Sequence, residues 1–324
     1  MRPRATGPTV LRRELVVSSS IDQIDRVSSN ETAVRQPLVS VIMSMRNSAA
    51  TVASAVRSVQ LQTLKDWELI VIDDGSSDDG AAIVESFGDP RIRLVREAAS
   101  AGLARRLNEA VVLSRGSYIA RMDADDVCFP DRLQKQVARL QQQPGLDLLG
   151  CGAVVFAANA RLLGELPVGL THEAITAQPC RGFPLPHPTW CGRAEWFRGN
   201  PYDTRLMKTQ DQDLLLRTFR RSRFASLDEV LVGYRQDALD LAKMLLGRRV
   251  FIGSLWRHAQ RSGDYASALD GIATHILKSG VDIATIGLGF NRLFQRNRLK
   301  PLDPSVQRQW SDLRGPLGLP GESN

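Results

Sequence analysis

Residues 120–133 read ARMDADDVCFPDRL. Three aspartates, Asp123, Asp125 and Asp126, crowd into four positions directly after SYIARM (117–122), a short apolar run with the look of a buried strand. Close carboxylates repel and raise each other's pKa. Negative charge gathered at a strand end therefore calls for something positive among it.

Working outward, LVSVIM (38–43) and ELIVID (68–73) read as further buried strands. A helix is predicted over 51–62, where Val52, Ala55, Val56 and Val59 fall at helical spacing. DDGSSDDG after the second strand is a polar turn. A short helix fits 79–87 and a third strand RIRLV (91–95). The helix over 101–114 puts Leu103, Leu107, Ala110 and Val111 on one face, and SYIARM is the fourth strand. Strand and helix alternating this way predict an α/β fold with a mostly parallel sheet and right-handed crossovers. Ligands of such sheets bind beyond the carboxyl ends of the strands. Ser44–Asn47, Asp73–Ser77 and Asp123–Asp126 then line one edge.

Beyond 126, Pro130 opens a helix with Leu133, Val137 and Leu140 inward, and Asp126 or Asp131 is a candidate for its cap. LDLLGCGAVVF (146–156) reads as a strand, 211–221 as a helix and FASLDEVLVGYR (224–235) as a strand pair. The sequence divides into a mobile arm (1–36), a main domain (37–237) and a helical C-terminal extension (238–324), the last with a third helical stretch near 281–297. The main domain splits into a nucleotide-binding half (37–126) and an acceptor-binding half (127–237).

The 324 residues are 43% hydrophobic and 24% charged, ordinary for a globular protein with a real core. The net charge of +7 admits nucleic acid, anionic lipid or a phosphorylated molecule as partner. No recognised nucleic-acid motif accompanies it. The four cysteines include no CxxC pair, which argues against a zinc knuckle. The first 36 residues contain no secretory h-region, and no apolar run reaches 18 residues, so the expectation is a cytoplasmic protein with reduced thiols. Neither GxGxxG after a strand nor GxxxxGK[ST] is present, which removes most of the weight from dinucleotide oxidoreductases and P-loop NTPases. Hard divalent cations take oxygen ligands and keep places for substrate phosphates. Asp123 and Asp125 therefore point to Mg²⁺ or Mn²⁺ gripping a diphosphate.

VSVIMSMRN (39–47), ELIVIDDGSSDDG (68–80), GLARRLNEAVVLSRGSYIARMDADD (102–126), FPDRL (129–133), HPTW (187–190) and QDQDLLLR (210–217) together resemble the inverting family 2 glycosyltransferases. The resemblance spans roughly residues 37–236. It implies a GT-A type fold and inverting transfer of a sugar from a nucleotide-diphosphate donor, commonly a UDP-sugar, to a carbohydrate or lipid-linked acceptor. Ser44 would lie against the nucleoside, Asp74 would hydrogen-bond the base and Asp73 would support its loop. Asp123 and Asp125 match the DxD pair that contacts ribose, diphosphate and metal. Asp211 matches the general base, and Asp213 is a second, structural carboxylate. Cell-surface polysaccharide or glycolipid synthesis is the implied setting.

The chain departs from the family pattern in places. Arg46 stands where an aromatic residue usually stacks on the base, and Gln210 where a Glu often precedes the general base. Asp237 follows Tyr234-Arg235 where some members carry a metal-binding His. His187, Trp190 and Trp196 are candidates for contact with donor sugar or acceptor, weighed against buried structural roles. Of Arg105 and Arg106, one reaches a phosphate and the other faces solvent; Arg105 is the nucleotide-site candidate. Arg217, Arg220, Arg221 and Arg223 with Phe219 and Phe224, and Arg248 and Arg249 with Leu293 and Phe294, form either a solvated face or a peripheral dock on the inner face of the cell membrane. A sugar nucleotidyltransferase and a non-catalytic nucleotide-sugar-binding relative are the competing readings.

Overall fold

The computed structural model describes residues 36–236, 240–287 and 299–320. The arm expected over 1–36 lies outside these residues except for Gln36. So do Asp237, Leu293 and Phe294.

One nine-stranded sheet runs through the protein in the order β3-β2-β1-β4-β8-β6-β9-β5, with β7 added on β6. Its first half is β1 (Val39–Met45), β2 (Trp67–Asp73), β3 (Ile92–Arg96) and β4 (Tyr118–Asp123). These strands pair in parallel throughout. The connecting helices are α1 (Val52–Gln60), α2 (Gly80–Glu85) and α3 (Leu103–Leu113). The second half holds β5 (Val127–Cys128), α4 (Arg132–Gln142), β6 (Leu148–Phe156), β7 (Leu162–Glu165), α5 (His172–Ile175), β8 (Cys191–Arg193), α6 (Ala194–Gly199), α7 (Gln210–Thr218) and β9 (Phe224–Arg235). Here β6 and β9 are parallel while β8 joins the halves antiparallel to both β4 and β6.

Strand side chains alternate between faces, and the sequence alternates with them. Val41, Met43 and Met45 of β1 enter one core with Val52, Ala55, Val56 and Val59 of α1 and Leu133, Val137 and Leu140 of α4. Ile42, with Ile70 and Ile72 of β2, enters the opposite core with Leu107 and Ala110 of α3. In β4, Tyr118, Ala120 and Met122 take the first face and Ile119 the second. Arg121 and Asp123 follow Ile119, so this alternation carries charge toward the strand's carboxyl end. The switch in strand order falls between β1 and β4, where such sheets leave a crevice.

Three expectations are corrected. Residues 224–235 form one long strand, not a pair. The polar Asp228-Glu229 step that imitates a turn is a bulge, since β6 pairs Cys151 with Leu227 and then Gly152 with Val230. Pro130 precedes α4 rather than lying in it, and neither candidate caps that helix: Asp131, at the N-cap, makes no side-chain cap bond, and Asp126 bonds elsewhere.

The C-terminal helices pack into the same compact body. They are α8 (Leu241–Ser262), α9 (Tyr265–Gly287) and α10 (Pro304–Leu317). Phe251 and Leu255 of α8 complete the second core. The sequence reading missed α10, which starts at Pro304 under an Asp303 cap that accepts from Ser305 N at 2.7 Å. Its Trp310 is 1% exposed, sits 4.7 Å from the Phe156 ring and donates to Ala160 O.

Part of the basic stretch, weighed in the sequence as a solvated face or a membrane dock, is engaged within the protein. Phe224 is core, Arg217 is tied to Asp213 and Arg248 to Asp282. Among the described residues no helix is long and apolar enough to cross a membrane.

Candidate active site

The parallel register brings the three polar clusters together. Ser44 lies opposite Asp123 on one side and Ile72 on the other, and Met45 opposite Asp73. Asp74 N donates to Met45 O. Asp73 accepts from both the backbone N and the hydroxyl of Ser76, which closes the turn at the end of β2.

Asp74 is buried and its two oxygens are fully engaged. Oδ1 accepts from Ala101 N at 2.7 Å and Arg106 Nε at 2.6 Å. Oδ2 accepts from Ser100 Oγ at 2.7 Å and Gly102 N at 3.0 Å. Burial works against the ionised form, but these bonds outweigh it and hold the carboxyl below its usual range. Asp74 therefore fixes loop 99–102 against the β2 turn. Gly75, at φ +67°, permits the approach, since a Cβ there would lie 3.0 Å from the Ala99 and Ser100 backbone. Arg46 joins the same assembly by donating to Ser100 Oγ at 2.8 Å.

Arg106, not Arg105, is the inward-facing arginine. It is buried, and besides Asp74 it binds Ala99 O and Glu109. Arg105 has a 62% exposed side chain and pairs with the same Glu109.

At the end of β4, ligand oxygens of Asp123, Asp125 and Asp126 all lie within 4.8 Å of one another. Asp126 is buried; its Oδ1 accepts from Arg235 N and its Oδ2 has no partner. Desolvation, then Asp123 and Asp125, push its carboxyl well above the ordinary range. Asp125 is the exposed member of the three, yet protein around it strips hydration. Desolvation and Asp123 push it up to about 6. An all-oxygen donor set, an orphaned buried carboxylate oxygen and raised acids fit a hard divalent cation. Asp126 extends the Asp123–Asp125 pair read from sequence.

The positive charge this cluster requires is in part the protein's own. Arg121, 2% exposed, ion-pairs with Asp123, while its Nε and Nη1 have no protein acceptor. It also acts electrostatically on Asp126 and Tyr202. Arg235 closes the far side, donating to Asp125 O at 3.1 Å while its guanidinium lies 4.8 Å from the Phe156 ring centre. Sequence reading missed Arg121 and Arg235. For Arg121 a signal existed, because period-two alternation puts it on the face of Asp123.

Asp211 approaches from the opposite half, as the second residue of α7. Burial raises its carboxyl, against weak support from Gln212 and the charge of Arg121. Buried Tyr202 feels both Asp211 and Asp123. The base candidate and the metal-site candidate thus share one electrostatic environment. Asp213 turns away to Arg217 at 2.7 Å. Gln210 is buried with its Oε1 unpartnered. His187, 8% exposed, exchanges a 2.8 Å hydrogen bond with Tyr202 OH. Burial and then Arg121 hold its pKa well below 6.5, so it is neutral.

Trp190 and Trp196 are corrected as sugar-stacking candidates. Trp190 is 0% exposed and donates to Leu185 O; Trp196 is buried and donates to Ser222 Oγ. Neither ring has a free face. Trp190 instead supports His187, with ring centres 4.6 Å apart.

The family model "Glycosyl transferase family 2" matches residues 40–162. The putative glycosyltransferase EpsE of Bacillus subtilis is 36% identical over 213 residues, 62% of this chain and 74% of EpsE. The Escherichia coli UDP-Glc:alpha-D-GlcNAc-diphosphoundecaprenol beta-1,3-glucosyltransferase WfgD is 37% identical over 103 residues, 32% of this chain and 41% of WfgD. Among solved structures, S. aureus TarS 1-349 in complex with UDP-GlcNAc superposes with a TM-score of 0.58 at 16% identity, over 87% of this chain and 81% of that TarS fragment. That likeness confirms the GT-A type fold. With EpsE matched over this share of its length, the chain belongs to glycosyltransferase family 2.

Proposed function

We propose that this enzyme transfers a sugar, with inversion, from a UDP-sugar to an acceptor hydroxyl in polysaccharide or glycolipid synthesis. The observation that carries the reading is that the charge of Arg121 acts both on Asp211 and on the Asp123–Asp125–Asp126 cluster. Asp211 takes the acceptor's hydroxyl proton, the freed oxygen bonds to the anomeric carbon, and the bond to the diphosphate breaks with its electron pair leaving on the diphosphate. A raised carboxyl is the stronger base for this step. Asp123, Asp125 and Asp126 would hold Mg²⁺ or Mn²⁺, which would neutralise the leaving diphosphate. Arg121 adds fixed positive charge beneath it. Ser44, Arg46 and the loop braced by Asp73 and Asp74 form the nucleoside floor. Neutral His187 and buried Gln210 border the sugar. The names of WfgD and TarS support UDP, and that of WfgD a lipid-linked acceptor, which would bring the enzyme to the cytoplasmic face of a membrane.

The test is thermal shift with UDP, GDP, CDP or TDP, each with Mn²⁺, Mg²⁺ or EDTA. A ligand that binds only the folded state raises Tm. The expected result is a metal-dependent rise with UDP that Asp125→Ala abolishes. No rise with any nucleotide would overturn the donor site. Donor hydrolysis that survives Asp211→Asn unchanged would overturn the assignment of the base.

A further inference from the structure

Helix α9 is apolar on two sides, and only one of them is covered. On the inner side Ala268, Gly271 and His275 are buried. Gly271 shows how closely this side packs, since a Cβ there would lie 2.4 Å from Cys180 O. On the outer side Leu269, Ile276 and Ile283 recur every seventh residue and are 55%, 60% and 51% exposed. Ala266, Ala273 and Gly280 recur at the same interval and are exposed too. Leu277 and Val281, 71% and 49% exposed, widen the face. Asp270 lies at its margin, tied to Arg181. A surface helix turns polar residues to water, so an apolar outer face of this length marks a contact. A seven-residue repeat is the spacing of two helices packed along each other.

The order of large and small residues names the partner. Two antiparallel copies of α9, related by a two-fold axis at the level between Thr274 and His275, bring Ala266 to Ile283 of the second copy, Leu269 to its Gly280 and Ala273 to its Ile276. Every layer then sets a large side chain into the hollow over a small one, and the face is complementary to itself. A parallel pair would stack large on large and small on small, which leaves voids. Gly280 is a separate observation. Among the described residues a Cβ there meets nothing within 4 Å. The single chain gives no reason for a glycine that weakens a helix interior. Leu269 of a second copy gives one.

We propose that the outer face of α9 pairs with the same face of a second copy, antiparallel, to form a two-fold homodimer. The pairing is independent of the donor and of the base.

The test is sedimentation velocity of the full chain from roughly 1 to roughly 100 μM, because association follows mass action. The expected result is a species of twice the chain mass that grows with concentration. Gly280→Leu fills the hollow and should weaken dimerisation at least about tenfold, with the far-UV spectrum of the folded chain retained, because the single chain leaves that space open. Gly280→Ala matches the other two small positions and should keep the dimer. Ile276→Asp should give a monomer. The register is read by mild oxidation of an equal mixture of Ala273→Cys and Ile276→Cys chains. The native cysteines are buried and do not compete. The mixed disulfide should form in preference to either self-pair. A monomer at every concentration, or a dimer that survives Gly280→Leu, would overturn the proposal. Preferred self-pairing would rule out the antiparallel register. A chain that stays monomeric alone and binds phosphatidylglycerol vesicles, with binding lost in Ile276→Asp, would assign this face to a bilayer and end the dimer reading.

Discussion

At the scale of single residues, the site is built on compensated charge. Removing one partner of a buried ion pair strands the other, at a cost of about 3–5 kcal/mol. Arg121→Met strands Asp123 and deprives Asp126 of a counter-charge. The variant should lose about 3–5 kcal/mol in urea unfolding with EDTA, and Mn²⁺ should recover part of that loss. A loss that Mn²⁺ leaves unchanged would show that guanidinium and cation do not serve the same carboxylates. Asp211→Asn removes a base without removing a buried partner, since among the described residues its side chain's hydrogen-bond partner is Gln212, at 3.4 Å. Transfer should fall about 10²–10⁴-fold, with the UDP-dependent Tm rise retained. A fall below tenfold would place the base elsewhere.

At the scale of elements, the sequence was most legible where one element meets one period. The parallel half follows from apolar runs ending in polar turns, and the acidic cluster was visible because Asp123 and Asp125 share a strand end. Legibility failed where a partner distant in sequence decides the structure. Asp74 reads as a ligand-facing acid, yet its four donors come from Ser100 to Arg106. Trp190 reads as a sugar platform until Leu185 and Trp196 enclose it. The Asp228-Glu229 step imitates a turn until β6 pairs past it. Helix α10 was missed because Pro304 and Pro316 flank a weak apolar pattern, and the face it needs is made by Phe129, Phe156 and Val232. Its dependence on packing is testable. Trp310→Ala removes a fully buried ring and should cost about 3–5 kcal/mol. Hydrogen exchange should speed up across α10 before β1. Uniform exchange in both would mean that α10 is not a separable unit.

At the scale of the whole molecule, opposed titrations set how stability depends on pH. Carboxyls held low, such as Asp74 and Glu68, keep their contribution until pH falls below the ordinary carboxylate range. Asp125, raised to about 6, acts in the opposite sense, because the folded state takes up its proton first as pH falls. His275 acts in an overlapping window. Burial, then Lys278 and Arg248, lower it to about 4 from 6.5. The unfolded chain therefore binds that proton first as pH falls, and stability drains away between about 6.5 and about 4. The net profile mixes these signs, but a difference between two proteins does not. His275→Gln removes one titration and leaves the carboxylates in place. Its stability relative to the unaltered protein should improve by about 2 kcal/mol between about pH 7 and about pH 5. Urea unfolding of both proteins at the two pH values measures this. A difference that stays flat would mean that His275 titrates normally, with its ring open to water.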